Sequence, residues 1–211
     1  MEVSRQSTAA VRELERGPRA RTGKLMLRTA TELMQRGLTP SVSEVAEAAG
    51  VSRATAYRYF PSEAAMVQAV VDAGLGPILT WSSKSADAER RVINLVETSI
   101  PRIDAFEATF KAALRLSLEQ WAKRQAGTLG DEPEFKRGHR VELLSSALEP
   151  LRGMLPKRKF DRLAQALSLA FGVEVLIVLK DIWGLDVKEA LSVTRWTSVA
   201  LVRAAMEQEG P

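Results

Sequence analysis

Hydrogen-bond donors crowd two turns of one predicted helix. Arg53, Thr55, Tyr57, Arg58 and Tyr59 all carry donor groups, and the chain has no other tyrosine. Hydroxyl groups donate to phosphate oxygens and guanidinium groups can fork onto guanine or phosphate, which are the contacts that DNA binding requires. The alternative is a packing helix whose tyrosines fill a core while its arginines are solvated. The residue types and their spacing favour DNA contact.

Local signals around these donors predict two short helices joined by a tight turn. Ser41 and Glu44 form a capping box that starts the first helix, and Gly50 supplies the positive φ that ends it. Ser52 caps the second helix, which we expect to run from Arg53 to Phe60. This pattern is typical of a helix-turn-helix, whose second helix enters the major groove.

The segment from about Leu25 to Val70 resembles the DNA-binding domain of the TetR family of bacterial transcriptional repressors. The resemblance rests on the run GLTPSVSEVAEAAGVSRATAYRYFPSEAAMVQAV and on the preceding helix LMLRTATELMQRG. A fourth helix that starts at Pro61 and Ser62 completes the pattern. Over the rest of the chain the resemblance concerns only the architecture.

The resemblance implies roles for individual residues. Arg53 and Ala54, the two residues after the cap of the second helix, would approach bases, and Ser43 would lie at the groove edge. The expected DNA contacts are Ser41, Ser43, Ser52, Arg53, Ala54, Thr55, Tyr57, Arg58 and Tyr59. One position departs from the family pattern, because Glu63 stands where a lysine often clamps phosphate. A carboxylate there would repel phosphate.

Positive charge is concentrated at the N-terminal end of the chain. Residues 1–61 hold ten lysines and arginines against six glutamates, while residues 62–211 hold twenty of each sign, so the first part carries the whole net charge of +4. A positively charged N-terminal part followed by a part without net charge is typical of a modest DNA-binding module. We expect residues 1–22 to form a flexible basic arm, with contact along a minor groove as the alternative. Its arginines are Arg5, Arg12, Arg16, Arg19 and Arg21.

Composition argues against several other classes of protein. The chain has no cysteine and a single histidine, His139, so disulfides, thiolate catalysis and a histidine metal cluster are excluded, and we expect no metal and no cofactor. Enzyme motifs such as a Gly-rich phosphate loop, G-x-S-x-G or H-E-x-x-H are absent, so we do not expect an enzyme. We find no secretory signal, and polar residues interrupt the longest apolar stretch, Leu163–Leu179. A cytoplasmic protein without a membrane span is therefore expected.

Caps and prolines predict helices throughout the rest of the chain, without strand signals. The expected helices are Ser62–Ala73, Asp87–Ser99, Arg102–Ala108, Phe110–Gln125, Phe135–Arg152, Lys157–Trp183 and Asp186–Gln208. The predicted fold is all-α, with an N-terminal three-helix helix-turn-helix domain and a C-terminal helical domain for ligand binding and dimerisation. We expect the DNA-binding domain over residues 23–70 and the effector-binding and dimerisation domain over residues 71–211.

The last two predicted helices are too apolar for an ordinary surface. A helix that is hydrophobic on most sides is buried or paired, so one face would meet the chain's own core and another a second copy, in a four-helix bundle. TetR-like proteins are said to dimerise in this way, and the alternative is a thick monomer core. The expected interface residues are Leu163, Leu167, Ala170, Leu176, Ile177, Leu191, Val199 and Val202.

The middle helices carry bulky residues at helical spacing. Such a stripe fits an apolar pocket for a small effector, with Glu119 or Glu174 as a polar anchor, and it also fits plain core. The family resemblance favours the pocket. Its expected residues are Trp81, Phe106, Phe110, Leu114, Leu118, Trp121, Phe171 and Glu174.

Together these features predict a sequence-specific transcriptional regulator, a repressor that binds palindromic operators as a homodimer under control of a small apolar effector. The alternative is a helical small-molecule or protein-binding module whose helix-turn-helix is structural only. The donors of the second helix favour the first function. The expected partners are double-stranded DNA, a second copy of the chain and an unidentified small molecule, and no membrane.

Overall fold

A computed structural model describes residues 18–135 and 137–207 of the chain. This part consists of ten α-helices without a strand, which confirms the all-α fold with an N-terminal helix-turn-helix domain. The helices are α1 Pro18–Gln35, α2 Val42–Ala48, α3 Arg53–Tyr59, α4 Glu63–Leu75, α5 Ala88–Ala105, α6 Glu107–Gln125, α7 His139–Ala147, α8 Lys157–Leu169, α9 Val173–Leu176 and α10 Val187–Glu207. Short 3₁₀ turns lie at Gly76–Thr80 and Glu149–Leu151, and a π-helical turn at Ile177–Ile182 continues α9.

The chain folds into two compact units that alternate along the sequence. Of the described residues, 18–74 and 106–135 form the first unit, and 75–105 and 137–207 form the second. Helix α6 therefore belongs to the same unit as α1–α4, whereas the sequence predicted one C-terminal domain from residue 71 onward. The functional division at residue 70 stays a prediction.

In the first unit, α1 packs against α2 and α6. Met26 and Met34 lie on one stripe of α1 and are completely buried, so this stripe forms the centre of the core. At Gly74, α4 comes close to α6, because a Cβ there would lie only 3.4 Å from Phe110 Cζ and 3.6 Å from Phe106 Cδ1. The missing side chain thus permits close packing of the two helices.

In the second unit, α10 packs along α5 and α8. Ala190, Thr194 and Val202 lie on one face of α10 and are buried. The Thr194 hydroxyl donates to the Ala190 carbonyl at 2.8 Å, which satisfies this polar group inside the core. At the surface, the Arg203 guanidinium on α10 donates to both carboxylate oxygens of Glu89 on α5, at 2.8 Å each.

Helix α5 continues through Pro101, so the predicted stop at this proline is wrong. The separate helix predicted over Arg102–Ala108 is also wrong, because α5 ends at Ala105 and α6 begins at Glu107. A proline inside a helix costs about 3 kcal/mol through its lost hydrogen bond and its clash with the preceding turn. Pro101 itself is exposed, while Ile100 and Ile103 on either side are buried. Packing of these neighbours offsets the cost of the proline.

The single helix predicted over Lys157–Trp183 is broken in the structure. Gly172, with φ at 110°, separates α8 from α9. The guanidinium of Arg140 occupies this bend, since its Nη2 lies 2.6 Å from the position of a Cβ on Gly172. Arg140 also donates to the Ser168 carbonyl at 3.2 Å and to the Glu174 carboxylate at 2.6 Å. A carbonyl near the end of α8 thereby receives a hydrogen bond from a side chain.

The helix predicted over Phe135–Arg152 is shorter than expected. Only α7 is α-helical there, and a 3₁₀ turn containing Pro150 follows it. Phe135 belongs to the preceding loop, where its backbone N–H donates to the Gln120 side chain at 2.8 Å. Helix α1 begins at Pro18 rather than at the predicted Leu25, and the remaining helices begin and end within a few residues of their predicted bounds.

No single helix in the described part of the chain is long and apolar enough to cross a membrane. Only α8 taken together with Val173–Ile182, which is bent from it by 49°, reaches the length and composition of such a span.

Candidate nucleic-acid interface

The capping box predicted at the start of α2 is present. The Ser41 backbone N–H donates to the Glu44 carboxylate at 2.7 Å, and the Glu44 N–H donates to Ser41 Oγ at 3.2 Å. The hydrogen bonds from Ser41 lower the pKa of the Glu44 carboxyl. Because the two residues satisfy each other's free backbone donors, the beginning of α2 is fixed.

The turn between α2 and α3 is as tight as the sequence predicts. Gly50 has φ at 65°, a left-handed conformation that glycine adopts without strain. The Val51 N–H then donates to the Ala46 carbonyl at 2.9 Å. Ala46 on α2 and Ala56 on α3 are both completely buried, so their small side chains let the two helices pack closely. The turn therefore orients α3 against α2.

Helix α3 is anchored on one side and exposed on the other. Ala56 and Phe60 are buried, whereas Arg53, Ala54 and Arg58 are exposed. Ser52 caps the helix by accepting the N–H of the third helical residue at 3.3 Å. The helix thus presents its charged side chains to solvent from a fixed position.

The hydroxyl groups predicted to contact phosphate lie beside these arginines. Tyr57 leaves 46% of its surface exposed, and its hydroxyl lies 3.4 Å from Ser43 Oγ on α2. Thr55 and Tyr59 are half-buried. The structure therefore brings Ser43 of α2 and Tyr57 of α3 together on one exposed surface, as a DNA-reading head would need.

Glu63 is the first residue of α4, and other charged side chains act on its carboxylate. Burial raises the pKa of Glu63, Glu132 raises it further, and Lys123 opposes these effects. Glu119 and Glu44 also act on Glu63 and raise its pKa. Glu63 therefore offers no positive charge to a phosphate, in agreement with its departure from the family pattern.

A buried glutamine holds the loop that follows α6, and sequence reasoning missed it. Gln120 is only 2% exposed, and its Oε1 accepts the Phe135 N–H at 2.8 Å while its Nε2 donates to the Pro133 carbonyl at 3.0 Å. Lys123, one turn later on α6, forms an ion pair with Glu132 of the same loop at 3.0 Å. The available signal was a polar residue at a core position of α6.

The residues expected to line a pocket are divided between the two units. Phe106, Phe110, Leu114, Leu118 and Trp121 belong to the first unit, and Trp81, Phe171 and Glu174 belong to the second. Leu118 and Trp121 are 57% and 56% exposed, so the outer half of the stripe is surface rather than core. Trp81 donates its indole N–H to Asn94 Oδ1 at 2.9 Å.

Neither proposed polar anchor has a free carboxylate. Arg137 and Arg140 both donate to Glu174, whose pKa is raised by burial but lowered more strongly by hydrogen bonds from its own backbone and from these arginines. Glu119 accepts a hydrogen bond from Arg115 at 2.7 Å on the surface of α6. A ligand would have to compete with these partners.

Most residues expected at a dimer interface are buried within the second unit itself. Leu163, Leu167, Ala170, Leu176 and Val202 are all buried, and Ile177, Leu191 and Val199 are half-buried. The first five pack in the chain's own core and are not available to a partner. Other apolar side chains of the same segments are exposed, namely Leu169, Val178, Ile182, Trp183, Val193, Trp196 and Met206.

The predicted basic arm lies almost entirely outside the described residues. Helix α1 begins at Pro18, so residues 18–22 are helical rather than part of a flexible arm, and the rest of the predicted arm lies outside the described residues. Arg21 is on this helix. Within the described part, no cluster of histidine, aspartate and glutamate could hold a metal ion.

Comparison with known proteins finds a family match in the N-terminal part of the chain. Residues 26–70 match the family described as bacterial regulatory proteins, tetR family. The fold resembles the crystal structure of a TetR transcriptional regulator from Rhodococcus sp. RHA1, with a TM-score of 0.58 and 19% sequence identity over 88% of this chain and 97% of that one. No curated protein sequence matches the chain.

Proposed function

We propose that the chain is a repressor of palindromic operators. The premise is that it is a DNA-binding transcriptional regulator with the TetR-family N-terminal domain. The observation that carries the proposal is α3, a capped and anchored helix whose outer side presents Arg53, Tyr57 and Arg58. A dimer would place two such helices in successive major grooves, about 34–36 Å apart.

Within α3 we assign base reading and phosphate binding to different residues. Arg53 is the first residue of the helix and is exposed, and N-terminal residues of a recognition helix are the ones that reach base edges. Thr55 and Tyr57 carry neutral hydroxyl donors, which suit phosphate oxygens and convey little sequence information. Arg53 therefore sets specificity, and the hydroxyl groups set position.

We propose that the homodimer forms through exposed apolar side chains of the last helices. Trp183 and Trp196 are 72% and 73% exposed within the chain, and Ile182 is 73% exposed. Single exposed apolar residues are ordinary, but the exposure of two tryptophans and an isoleucine on consecutive elements supports an interaction surface. This exposed set replaces the mostly buried residues that the sequence suggested.

We propose that a small apolar effector controls DNA binding in the cytoplasm. The family likeness supports this, together with the packing of Phe106 and Phe110 against Gly74 within the first unit. Gly74 lies near the end of α4, the helix that follows the helix-turn-helix formed by α2 and α3. A ligand that displaces either ring can thus shift the C-terminal end of α4 and tilt α3.

The test is selection of bound duplexes from a random library, followed by fluorescence anisotropy with the selected palindrome. Arg53→Ala should relax the preference at one base pair, at a cost of about 1–3 kcal/mol. Arg90→Ala is the matched control, because Arg90 is an exposed arginine of α5 outside the first unit. It should leave affinity and preference unchanged.

Selection that returns no preferred sequence would contradict an operator-specific repressor. If Arg53→Ala lowered affinity equally for all duplexes, Arg53 would be a phosphate contact and the assignment of base reading would be wrong. Anisotropy with wild-type protein, before and after removal of bound small molecules by denaturation and refolding, tests effector control.

A further inference from the structure

Two hydroxyl groups are in contact at the N-cap of α3. Ser52 Oγ accepts the backbone N–H of Thr55 at 3.3 Å and donates its own proton to Thr55 Oγ1 at 3.0 Å. Ser52 is exposed and Thr55 is half-buried, so the pair lies at the edge of the proposed DNA surface. The serine that caps the helix thus also acts on a side chain assigned to phosphate.

The contact determines where the proton of Thr55 can go. A hydroxyl group has one donor and two acceptor positions. Because Thr55 Oγ1 receives the Ser52 proton, its own proton is free to point elsewhere, and among the described residues the Thr55 hydroxyl has no other partner. Each hydrogen bond in such a chain also polarises the next one, which makes Thr55 a better donor.

We propose that Ser52 is a positioning residue for DNA binding, whose hydroxyl sets Thr55 as a donor to a phosphate oxygen in addition to capping α3. The inference rests on the DNA-binding function proposed above. In the neighbouring pair of Ser43 and Tyr57 the hydrogen bond has no defined direction, because at 3.4 Å either oxygen could be the donor.

Capping and positioning can be separated by the choice of residue at position 52. Aspartate caps helices as well as serine does, but an ionised carboxylate can only accept hydrogen bonds. In Ser52→Asp the Thr55 hydroxyl would turn to donate to the carboxylate, so α3 stays capped while the phosphate donor is lost. Ser52→Thr retains both the cap and the donor.

The experiment compares Thr55→Val in three backgrounds, wild type, Ser52→Thr and Ser52→Asp, since valine keeps the shape of threonine without its hydroxyl. Anisotropy with a mixed-sequence duplex of about 30 base pairs, which spans two successive major grooves, gives each dissociation constant. Thr55→Val should weaken binding about tenfold or more in the first two backgrounds, as expected for a lost hydrogen bond to a charged group. In the Ser52→Asp background it should weaken binding less than about twofold.

The added charge of aspartate is present in both members of its pair and cancels from the comparison. Equal losses in all three backgrounds would overturn the proposal and leave Ser52 as a cap only. Thermal melting checks that α3 is intact, and if Ser52→Asp melts early, Ser52→Asn replaces it, because asparagine also caps helices and its side-chain oxygen can accept the Thr55 proton. Wild-type protein that binds no duplex would refute DNA binding itself and the inference with it.

Discussion

Leu176 and Trp196 lie on contacting elements of the second unit, yet a charge at each should have a different effect. Leu176 has no exposed surface, whereas Trp196 leaves 73% of its surface exposed within the chain. If the exposed side of α10 meets a second copy, Trp196→Asp should dissociate the dimer and leave each protomer folded. Leu176→Asp should instead unfold the second unit.

The exposed fraction sets the size of the effect. A tryptophan buries on the order of 200 Å², so at 73% exposure about 150 Å² of Trp196 is available to a partner, which corresponds to about 4 kcal/mol per copy. Even if half of this is realised, the two copies together lose about 4 kcal/mol, or about 1,000-fold in the dimer dissociation constant. Leu176→Asp removes a buried leucine, which costs about 2–5 kcal/mol, and adds a buried charge, against a total stability of about 5–15 kcal/mol.

Sedimentation velocity at micromolar concentration measures association, and circular dichroism melting measures stability. Met154→Asp is the matched control, because Met154 is 69% exposed in the same unit and lies outside the last helices. It should change neither reading. A Trp196→Asp protein that still sediments as a dimer and melts like the wild type would refute the proposed interface, and a monomeric wild type would refute the homodimer.

Three further expectations concern the first unit. Tyr57→Phe should weaken binding of all duplexes by a similar factor in anisotropy, because a phosphate contact carries little sequence information. Gly50→Ala should lower the free energy of unfolding by about 1–2 kcal/mol in urea titration. The cost comes from the backbone, because φ is 65° and no atom lies within 4 Å of the added Cβ. Gly153→Ala is the control and should not lower it, because Gly153 lacks a positive φ. Glu63→Gln should stabilise the protein at neutral pH, because burial raises the pKa of Glu63 above its ordinary value of 4.5 and ionisation therefore disfavours the folded state. That gain should disappear as the pH falls through the raised pKa to below 4.5, where the carboxyl is protonated in both states, and melting against pH with Glu142→Gln as control measures it.

Sequence reasoning succeeded where the cause of a structural feature is local. The capping box of Ser41 with Glu44 formed as predicted. The helix predicted from Asp186 likewise begins there, with Asp186 and Glu189 joined by two backbone-to-carboxylate hydrogen bonds of 2.9 Å each. Gly50 took the positive φ that ends α2. In each case the interacting groups lie within a few residues, so the sequence contains all that determines them.

The features that the sequence did not predict correctly depend on packing and on residues from other parts of the chain. The bend at Gly172 depends on Arg140, which is brought there from another helix. Continuation of α5 through Pro101 depends on how its neighbours are buried, which no local rule specifies. The apolar pattern of the last helices also showed that two faces exist but not which one is core. Leu176 and Trp196 therefore needed the structure to distinguish them.

The exposed arginines of α3 should respond differently to salt, which tests the assignment of their roles. A cation that neutralises a phosphate releases counterions, so each such contact adds about −0.9 to the slope of log K against log salt. Arg58 lies in the last turn of α3, and we assign it to phosphate, whereas Arg53 at the first turn is assigned to a base. Arg58→Ala should therefore make the slope of a dimer shallower by about 2, and Arg53→Ala should leave it unchanged while relaxing specificity. Thr55→Val lowers affinity without a change in slope, because a neutral hydroxyl releases no counterion. If Arg53→Ala changes the slope and Arg58→Ala does not, the two roles are reversed. Arg58 would then contact a base and Arg53 a phosphate, which requires a different orientation of α3 in the groove.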